Sequence, residues 1–155
     1  MNLYNGRMTD TQEEAGIRVW TRLVRAKDMA MAGVERALKR ASLPPLVWYD
    51  VLLELERAGD EGLRPFELER AMLLAQYNLS RLIDRIEAAG YVERQACLDD
   101  GRGQRVLITP AGRGLRQSMW PIYRQAIHDQ VTRHISGEEA ALVAETLERL
   151  IRGTN

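Results

Sequence analysis

An amphipathic helix that leads directly into a β-hairpin constrains the fold of this chain more than any other feature of its sequence. Residues 76–89 predict the helix, because four apolar residues recur at the spacing of one helical face: Leu79, Leu82, Ile83 and Ile86. Gly90 ends it, and residues 91–96 and 104–108 predict two strands around a polar, glycine-rich turn. The polar face of the helix is therefore expected to lie beside a hairpin.

Three further helices are predicted before this pair of elements. The first covers residues 11–40, with a capping box from Thr11 to Glu14 at its start and a heptad-like apolar seam along its length. The second runs from Leu46 to Ala58 and is closed by Gly59. A short third helix is predicted from Phe66 to about Met72.

Two helices are predicted after the hairpin. Thr109 caps the fifth helix and Pro110 occupies its first position. Pro121 is expected to kink or break that helix near Trp120, because proline cannot donate the helical hydrogen bond. A second capping box, from Ser136 to Glu139, opens a sixth helix near the end of the sequence.

This order of elements predicts a mainly α fold with a small β-hairpin, in the α+β class. Two short helices followed by a hairpin form a winged helix-turn-helix, with the hairpin as the wing. The apolar seams of the first and last helices are too extensive for so small a winged unit to cover, so dimerisation through them is predicted. Packing of these helices within one chain is the alternative. The predicted domains are a dimerisation helix at 1–40, the winged domain at 41–116 and C-terminal dimerisation helices at 117–155.

The exposed face of the predicted fourth helix and the tip of the hairpin are candidate contacts to duplex DNA. A helix fits the major groove, which is ~12 Å wide. The polar side chains offered there reach base edges and phosphates: Gln76, Tyr77, Asn78, Ser80, Arg81 and Arg85. On the wing, Arg102 lies between two glycines whose backbone freedom suits entry into a narrow minor groove, near Asp100 and Arg105. Asp100 is placed to hold the Arg102 guanidinium.

The overall charge of the chain does not by itself indicate nucleic-acid binding. Its 22 basic and 22 acidic residues leave a formal net charge of zero, whereas phosphate-binding domains are commonly strongly basic. Residues 81–116 hold seven arginines against five acidic residues, a weak excess. Docking must therefore depend on the placement of individual groups. The zero net charge and Asp84 on the recognition face leave one alternative open, a ligand-binding or protein-interaction module that acts without DNA.

The segment LSRLIDRIEAAGYVERQACLDDGRGQRVLITPAGRGL resembles the DNA-binding core of the multiple antibiotic resistance regulator (MarR) family. The resemblance is strong over about residues 45–116, and the outer helices fit in position and pattern only. It implies a ligand-responsive repressor, a homodimer whose terminal helices interlock and whose two wings straddle a pseudo-palindromic operator. It assigns Arg81 and its neighbours to the major groove, and Asp100 and Arg102 to the wing contact. Ser80 stands where many relatives have threonine and keeps the hydroxyl group.

The same resemblance implies a small aromatic effector, since relatives often bind phenolic or other aromatic anions between the dimer helices and the winged domain. The candidate lining residues are Trp20, Val24, Met31, Trp48, Tyr49, Trp120 and Tyr123, with Arg25 or His128 to meet a carboxylate. For each aromatic residue and methionine, an ordinary place in the hydrophobic core is the alternative.

Catalytic and metal-binding patterns are missing from the sequence. It contains no HExxH, paired CxxC, GxSxG or phosphate-binding glycine loop, and His128 and His134 fall on different faces of a helix. We therefore expect no catalytic site, no metal, no cofactor and no enzyme. Cys97, the single cysteine, is expected to be a small hydrophobic residue rather than a redox sensor. With no signal peptide and no apolar run of roughly 18 residues, we predict a cytoplasmic protein without membrane contact.

Overall fold

Six α-helices and one β-hairpin make up the computed structural model, which describes residues 10–75, 77–97 and 103–153. The elements in chain order are α1 Asp10–Arg40, α2 Leu46–Ala58, α3 Pro65–Ala71, α4 Leu79–Ala88, β1 Val92–Ala96, β2 Gln104–Ile108, α5 Pro110–Gln130 and α6 Gly137–Arg152. Short 3-10 turns at Gly59–Glu61 and Thr132–His134 follow α2 and α5. The predicted order of elements and the mainly helical class with one hairpin are confirmed.

The chain divides into two compact units. One is Val34–His128, which contains α2, α3, α4, the hairpin and most of α5. The other consists of the described residues of Met1–Gly33 and Asp129–Asn155, and contains most of α1 together with α6. The candidate DNA contacts all belong to Val34–His128, so that unit positions the site.

The hydrophobic core of Val34–His128 lies where α2, α3, α4 and the hairpin meet. Its buried members are Val51, Leu52, Leu55, Leu68, Leu79, Leu82, Ile83, Ile86, Val92, Val106 and Ile108. Each fully buried aliphatic side chain contributes roughly 1.5–3 kcal/mol relative to an exposed one. All four residues of the apolar stripe predicted for α4 belong to this core, which fixes the rotation of α4 about its axis.

The hairpin is joined to the helix-turn-helix by a short backbone bridge. In the antiparallel register Val92 faces Ile108 and Ala96 faces Gln104. Leu63, in the segment before α3, donates from its N–H to the Val106 carbonyl at 3.0 Å and accepts from the Val106 N–H at 2.8 Å. The wing is thus hydrogen-bonded to the entry of α3 as well as packed on α4.

Three predicted helix starts differ from the structure, and Pro121 does not break its helix. The short third helix begins at Pro65 rather than Phe66. The helix predicted from Gln76 begins at Leu79, because the Asn78 side chain caps it and asparagine favours that position over a helix interior. The first helix already includes Asp10, so Thr11 lies within its first turn. α5 continues through Pro121, so of the predicted kink or break near Trp120 the break is wrong. Trp120 and Tyr123, on either side of the proline, contact each other and hold both halves of α5 together.

A side chain at Gly62 is expected to be costly. Its φ of 60° and ψ of −171° are glycine conformations, and an added Cβ would overlap the Val106 carbonyl oxygen. We therefore expect Gly62→Ala to lower the free energy of unfolding by about 2–3 kcal/mol. Gly114→Ala is the matched control, since it meets nothing within 4 Å and lies inside α5, where alanine should add about 0.5–1 kcal/mol. Urea titration measures both, and equal stabilities would contradict the close bridge at Val106.

Candidate nucleic-acid interface

The recognition surface is built on α4, whose buried side fixes which residues face outward. Leu82, Ile83 and Ile86 are fully buried, so the residues on the opposite side of the helix are left to solvent. The described residues of the predicted contact set on or just before α4 are all exposed: Tyr77, Asn78, Ser80, Arg81 and Arg85. The structure therefore gathers hydroxyl, amide and guanidinium groups on one accessible side of the helix. Their contacts with DNA stay a prediction.

Asn78 has a structural role in addition to its predicted contact. Its side-chain oxygen accepts a hydrogen bond from the Arg81 backbone N–H at 3.1 Å, which satisfies one of the free donors at the start of α4. Its own carbonyl accepts from the Leu82 N–H at 3.2 Å. The cap fixes where the helix begins and therefore which residues Ser80 and Arg81 have as neighbours.

Arg94 on β1 connects the wing to α4, although it was not among the predicted site residues. One terminal guanidinium nitrogen donates to Asp84 at 2.6 Å, and the other donates to Glu87. The Arg94 backbone N–H also donates to Glu87, at 3.1 Å. The only signal in the sequence was that Arg94 stands in the strand after two acidic residues spaced three apart on one helix. Asp84, which weighed against DNA binding, is thus paired with a cation.

Arg105, predicted as a wing contact, is directed toward the turn before α3. Its guanidinium donates to the carbonyls of Glu61 at 3.3 Å and Gly62 at 3.2 Å, and lies 3.8 Å from the Glu67 carboxylate. These contacts reinforce the Leu63–Val106 bridge. The other predicted positions of this surface, Gln76, Asp100 and Arg102, lie outside the described residues.

Asp50 holds the turn that leads into the recognition helix. This buried residue of α2 accepts hydrogen bonds from the backbone N–H groups of Leu73 at 3.1 Å and Leu74 at 2.6 Å. A buried carboxylate is costly unless it is hydrogen-bonded, and here two otherwise unpaired turn amides supply the bonds. Asp50 was not among the predicted site residues, because nothing in the local sequence marks an aspartate whose partners lie over 20 positions away.

Substitution of Asp50 is expected to loosen the turn between α3 and α4. Asp50→Ala removes two hydrogen bonds from a buried carboxylate to the backbone N–H groups of the turn, so we expect the free energy of unfolding to fall by about 2–3 kcal/mol. Asp50→Asn keeps one acceptor oxygen in a side chain of the same shape, so the free energy of unfolding should fall by less. Urea titration followed by circular dichroism checks the order wild type, asparagine, alanine. An alanine variant as stable as wild type would show that the turn does not depend on the hydrogen bonds to Asp50.

The structure brings together three of the predicted ligand-pocket residues and separates a fourth from them. Tyr49 stacks on Trp120 with ring centroids 6.2 Å apart and meets Tyr123 edge-on at 5.1 Å. Trp48 instead packs edge-on against Tyr91 at 6.1 Å, beside the core of the winged unit. A cavity of about 460 Å³ opens next to the cluster, and its walls include Tyr49, Asp50 and Tyr123.

The phenol of Tyr123 belongs to the wall of that cavity. Burial raises the pKa of Tyr123, and the neighbouring Tyr49 and Asp50 raise it further. A phenol whose pKa is raised remains a hydrogen-bond donor at neutral pH. The cavity therefore offers a donor at Tyr123 among aromatic and aliphatic walls.

The remaining pocket candidates are not among the described residues that line this cavity. Trp20, Val24, Arg25 and Met31 belong to the unit made by α1 and α6, where the first three are exposed. His128 is exposed on α5 and lines a different cavity of about 410 Å³ with Pro121, Arg124 and Gln125. The assignment of these residues to one ligand site stays a prediction.

The described residues show neither a metal site nor a membrane span, and the cysteine among them is buried. Cys97 is buried at the end of β1. Within residues 10–75, 77–97 and 103–153, no group of three His, Cys, Asp or Glu side chains is arranged to hold a metal ion. None of the helices in those ranges combines the length and apolar character needed to cross a bilayer.

Comparison with known proteins gives consistent matches. The sequence model of the MarR family matches residues 42–103. The multiple antibiotic resistance protein MarR of Salmonella typhimurium is 26% identical over 103 residues, which cover 66% of this chain and 70% of that protein. A transcriptional regulator of the MarR family from Silicibacter pomeroyi is 28% identical with a TM-score of 0.65, covering 86% of this chain and 87% of that one.

A further solved structure resembles nearly the whole fold. It is a MarR family transcriptional regulator from Streptomyces coelicolor in complex with DNA, with a TM-score of 0.81 and 24% identity, covering 96% of this chain and 94% of that one. The terminal helices, which the sequence matched in pattern only, thus have counterparts in a known winged-helix structure.

Proposed function

The chain belongs to the MarR family of transcriptional regulators, and from this premise we propose that it is a homodimeric, ligand-responsive repressor that binds pseudo-palindromic operators in the cytoplasm. One observation carries the proposal: α4 is held by its buried stripe so that Ser80, Arg81 and Arg85 face solvent directly beside the wing. A regulator of transcription needs such a surface to read base edges in the major groove.

Homodimerisation is supported by the apolar surface of α1 and α6. No residue of α6, which is described from end to end, is buried in the single chain. Its exposed large apolar residues include Leu142 and Val143, and those of α1 include Ile17 and Trp20. Two amphipathic helices with this much exposed apolar surface are typical of an interface with a second copy. Two winged units in such a dimer would read half-sites about 34 Å apart, one helical turn of DNA.

Response to a small aromatic effector is supported by the cavity beside Asp50. Tyr49 and Tyr123 give it aromatic walls and a phenol donor, and its volume of about 460 Å³ suits a small molecule. Asp50 lines the same cavity and binds the turn before α4. A ligand that contacts Asp50 can therefore shift the position of the recognition helix, provided that it binds the two positions with different affinity.

Selection of bound sequences from a random pool of duplex DNA tests the proposed function. We expect enrichment of a pseudo-palindrome, bound by a dimer with an affinity that falls steeply as salt rises, because phosphate contacts release counterions. Reporter repression from a promoter that overlaps the enriched site then tests the repressor role. If no sequence is enriched, the zero net charge would favour the alternative of a protein-interaction module, and partner capture would replace the DNA assay.

A further inference from the structure

The Arg94 side chain is enclosed by acidic groups of the recognition helix rather than free to reach DNA. One terminal nitrogen bonds Asp84 at 2.6 Å and the other bonds Glu87. The side chain is 19% exposed, whereas that of Asp84 is 59% exposed and that of Glu87 is 37% exposed. The cation is thus the covered member of the group, and the two carboxylates are the accessible ones.

The position of Asp84 makes its charge relevant to DNA. Asp84 lies three residues after Arg81, on the accessible side of α4, which the proposed function places in the major groove. A bare carboxylate there faces the phosphate backbone, and like charges within a Debye length of about 10 Å repel at 0.1 M salt. Two such carboxylates on one short helix would oppose binding in both half-sites of a dimer.

We propose that Arg94 is a positioning residue that masks the charge of Asp84 and Glu87, so that the recognition helix can approach the phosphates. The inference rests on the proposed DNA-binding function. Arg94 acts through the two carboxylates and makes no phosphate contact itself, because both of its terminal nitrogens are engaged. The backbone bond from Arg94 to Glu87 at 3.1 Å does not depend on the side chain, so the wing keeps one tie to α4 when the guanidinium is removed.

Charge masking and mechanical tethering predict different salt dependences. In Arg94→Ala the two carboxylates are unmasked, and their repulsion of phosphate is screened by salt. We expect operator binding to weaken roughly 10- to 100-fold at 50 mM salt and only a few-fold at 300 mM. A lost tether would weaken binding by the same factor at every salt concentration, since packing is not screened.

Neutralising the two acids provides the decisive rescue. In Arg94→Ala combined with Asp84→Asn and Glu87→Gln, we expect operator affinity to return to within about threefold of wild type, since the repulsion is gone. Asp84→Asn with Glu87→Gln in the presence of Arg94 should bind as tightly as wild type or more tightly. That variant keeps the proposal testable even if Arg94→Ala fails to fold. Arg113→Ala, which breaks an ion pair with Glu56 at 3.8 Å away from α4, is the matched control and should show no salt-dependent defect.

Fluorescence anisotropy with the selected operator, at four salt concentrations, measures all of these variants, and melting temperatures report their folding. A triple variant that binds as weakly as Arg94→Ala, or an asparagine–glutamine variant weaker than wild type, would overturn charge masking while leaving the DNA-binding function in place. A wild-type protein that binds no DNA would overturn the proposed function and this inference with it.

Discussion

Glutamate at both Ile17 and Leu142 is expected to leave the protein monomeric and to abolish measurable operator binding. The two side chains lie on α1 and α6 and are 59% and 63% exposed in the single chain. In the proposed dimer each would be buried against the partner copy, where a glutamate has neither water nor a cation to pair with. Symmetry places both substitutions in each protomer, so the interface receives four unpaired charges.

The size of this effect follows from the apolar area removed. Full burial of one leucine or isoleucine side chain contributes roughly 1.5–3 kcal/mol, so four substitutions remove roughly 6–12 kcal/mol before the cost of burying the charges. A nanomolar dimer is held by about 12 kcal/mol. A monomer contacts only one half-site. In a dimer, binding of the first winged unit places the second unit at a high effective concentration near its own half-site, and a monomer loses this gain in affinity.

Sedimentation velocity at micromolar concentration checks the assembly state, and anisotropy with the operator checks binding. Glu148→Gln is the matched control, because Glu148 is an exposed acidic residue of α6 whose carboxylate pairs with Arg152 on the same helix. The control should remain dimeric and bind normally. A double variant that sediments as a dimer would show that α1 and α6 do not form the interface.

The apolar pattern of the sequence was sufficient to predict the core and orientation of α4. Leu79, Leu82, Ile83 and Ile86 are at helical spacing, and all four are buried. Burial of one stripe determines which residues face solvent, so the exposure of Ser80 and Arg81 follows from local periodicity. The hairpin was predictable from two short strand-like segments on either side of a polar, glycine-rich segment of the sequence.

Where a helix begins, and whether a proline breaks it, depends on side-chain contacts that the local sequence pattern does not show. Residues 76–78 continue the polar pattern of a helix, yet the Asn78 side chain caps the Arg81 N–H and starts α4 at Leu79. Pro121 removes one hydrogen bond from α5, but contacts from Trp120 and Tyr123 to Tyr49 on α2 hold the helix on both sides. Tertiary contacts of this kind outweigh the local cost of the proline.

Contacts between residues far apart in the sequence were beyond prediction. Asp50 accepts from the N–H groups of Leu73 and Leu74, and Arg94 reaches back to Asp84. Periodicity places a residue on a face of its own element but does not say which charged groups of other elements meet it. The two residues that hold the recognition helix in place were therefore missed, although the residues on its exposed face were identified.

Arg81→Ala is expected to reduce operator affinity by about 2–6 kcal/mol, since a guanidinium that reads a base contributes about 1–3 kcal/mol and the dimer presents two copies. The substitution should not disturb the fold, because the Arg81 side chain is exposed. The cap on α4 uses the backbone N–H of Arg81, which alanine keeps. The helix should therefore form normally, and the loss should lie in DNA contact. Alanine at Arg102, which the sequence predicts to contact DNA, should act in the same direction.

The pattern of the Arg81→Ala defect distinguishes base reading from phosphate binding. If Arg81 reads a guanine, the variant loses discrimination at one base pair of each half-site, and operators mutated there bind wild type and variant equally. If it binds phosphate, affinity falls uniformly across sequences and the salt slope decreases by about one for each half-site. Arg124→Ala, an exposed arginine of α5, is the control and should change neither quantity. Unchanged affinity in Arg81→Ala would remove the side chain from the interface, and the search for the reading residue would pass to Ser80 and Arg85 on the same face.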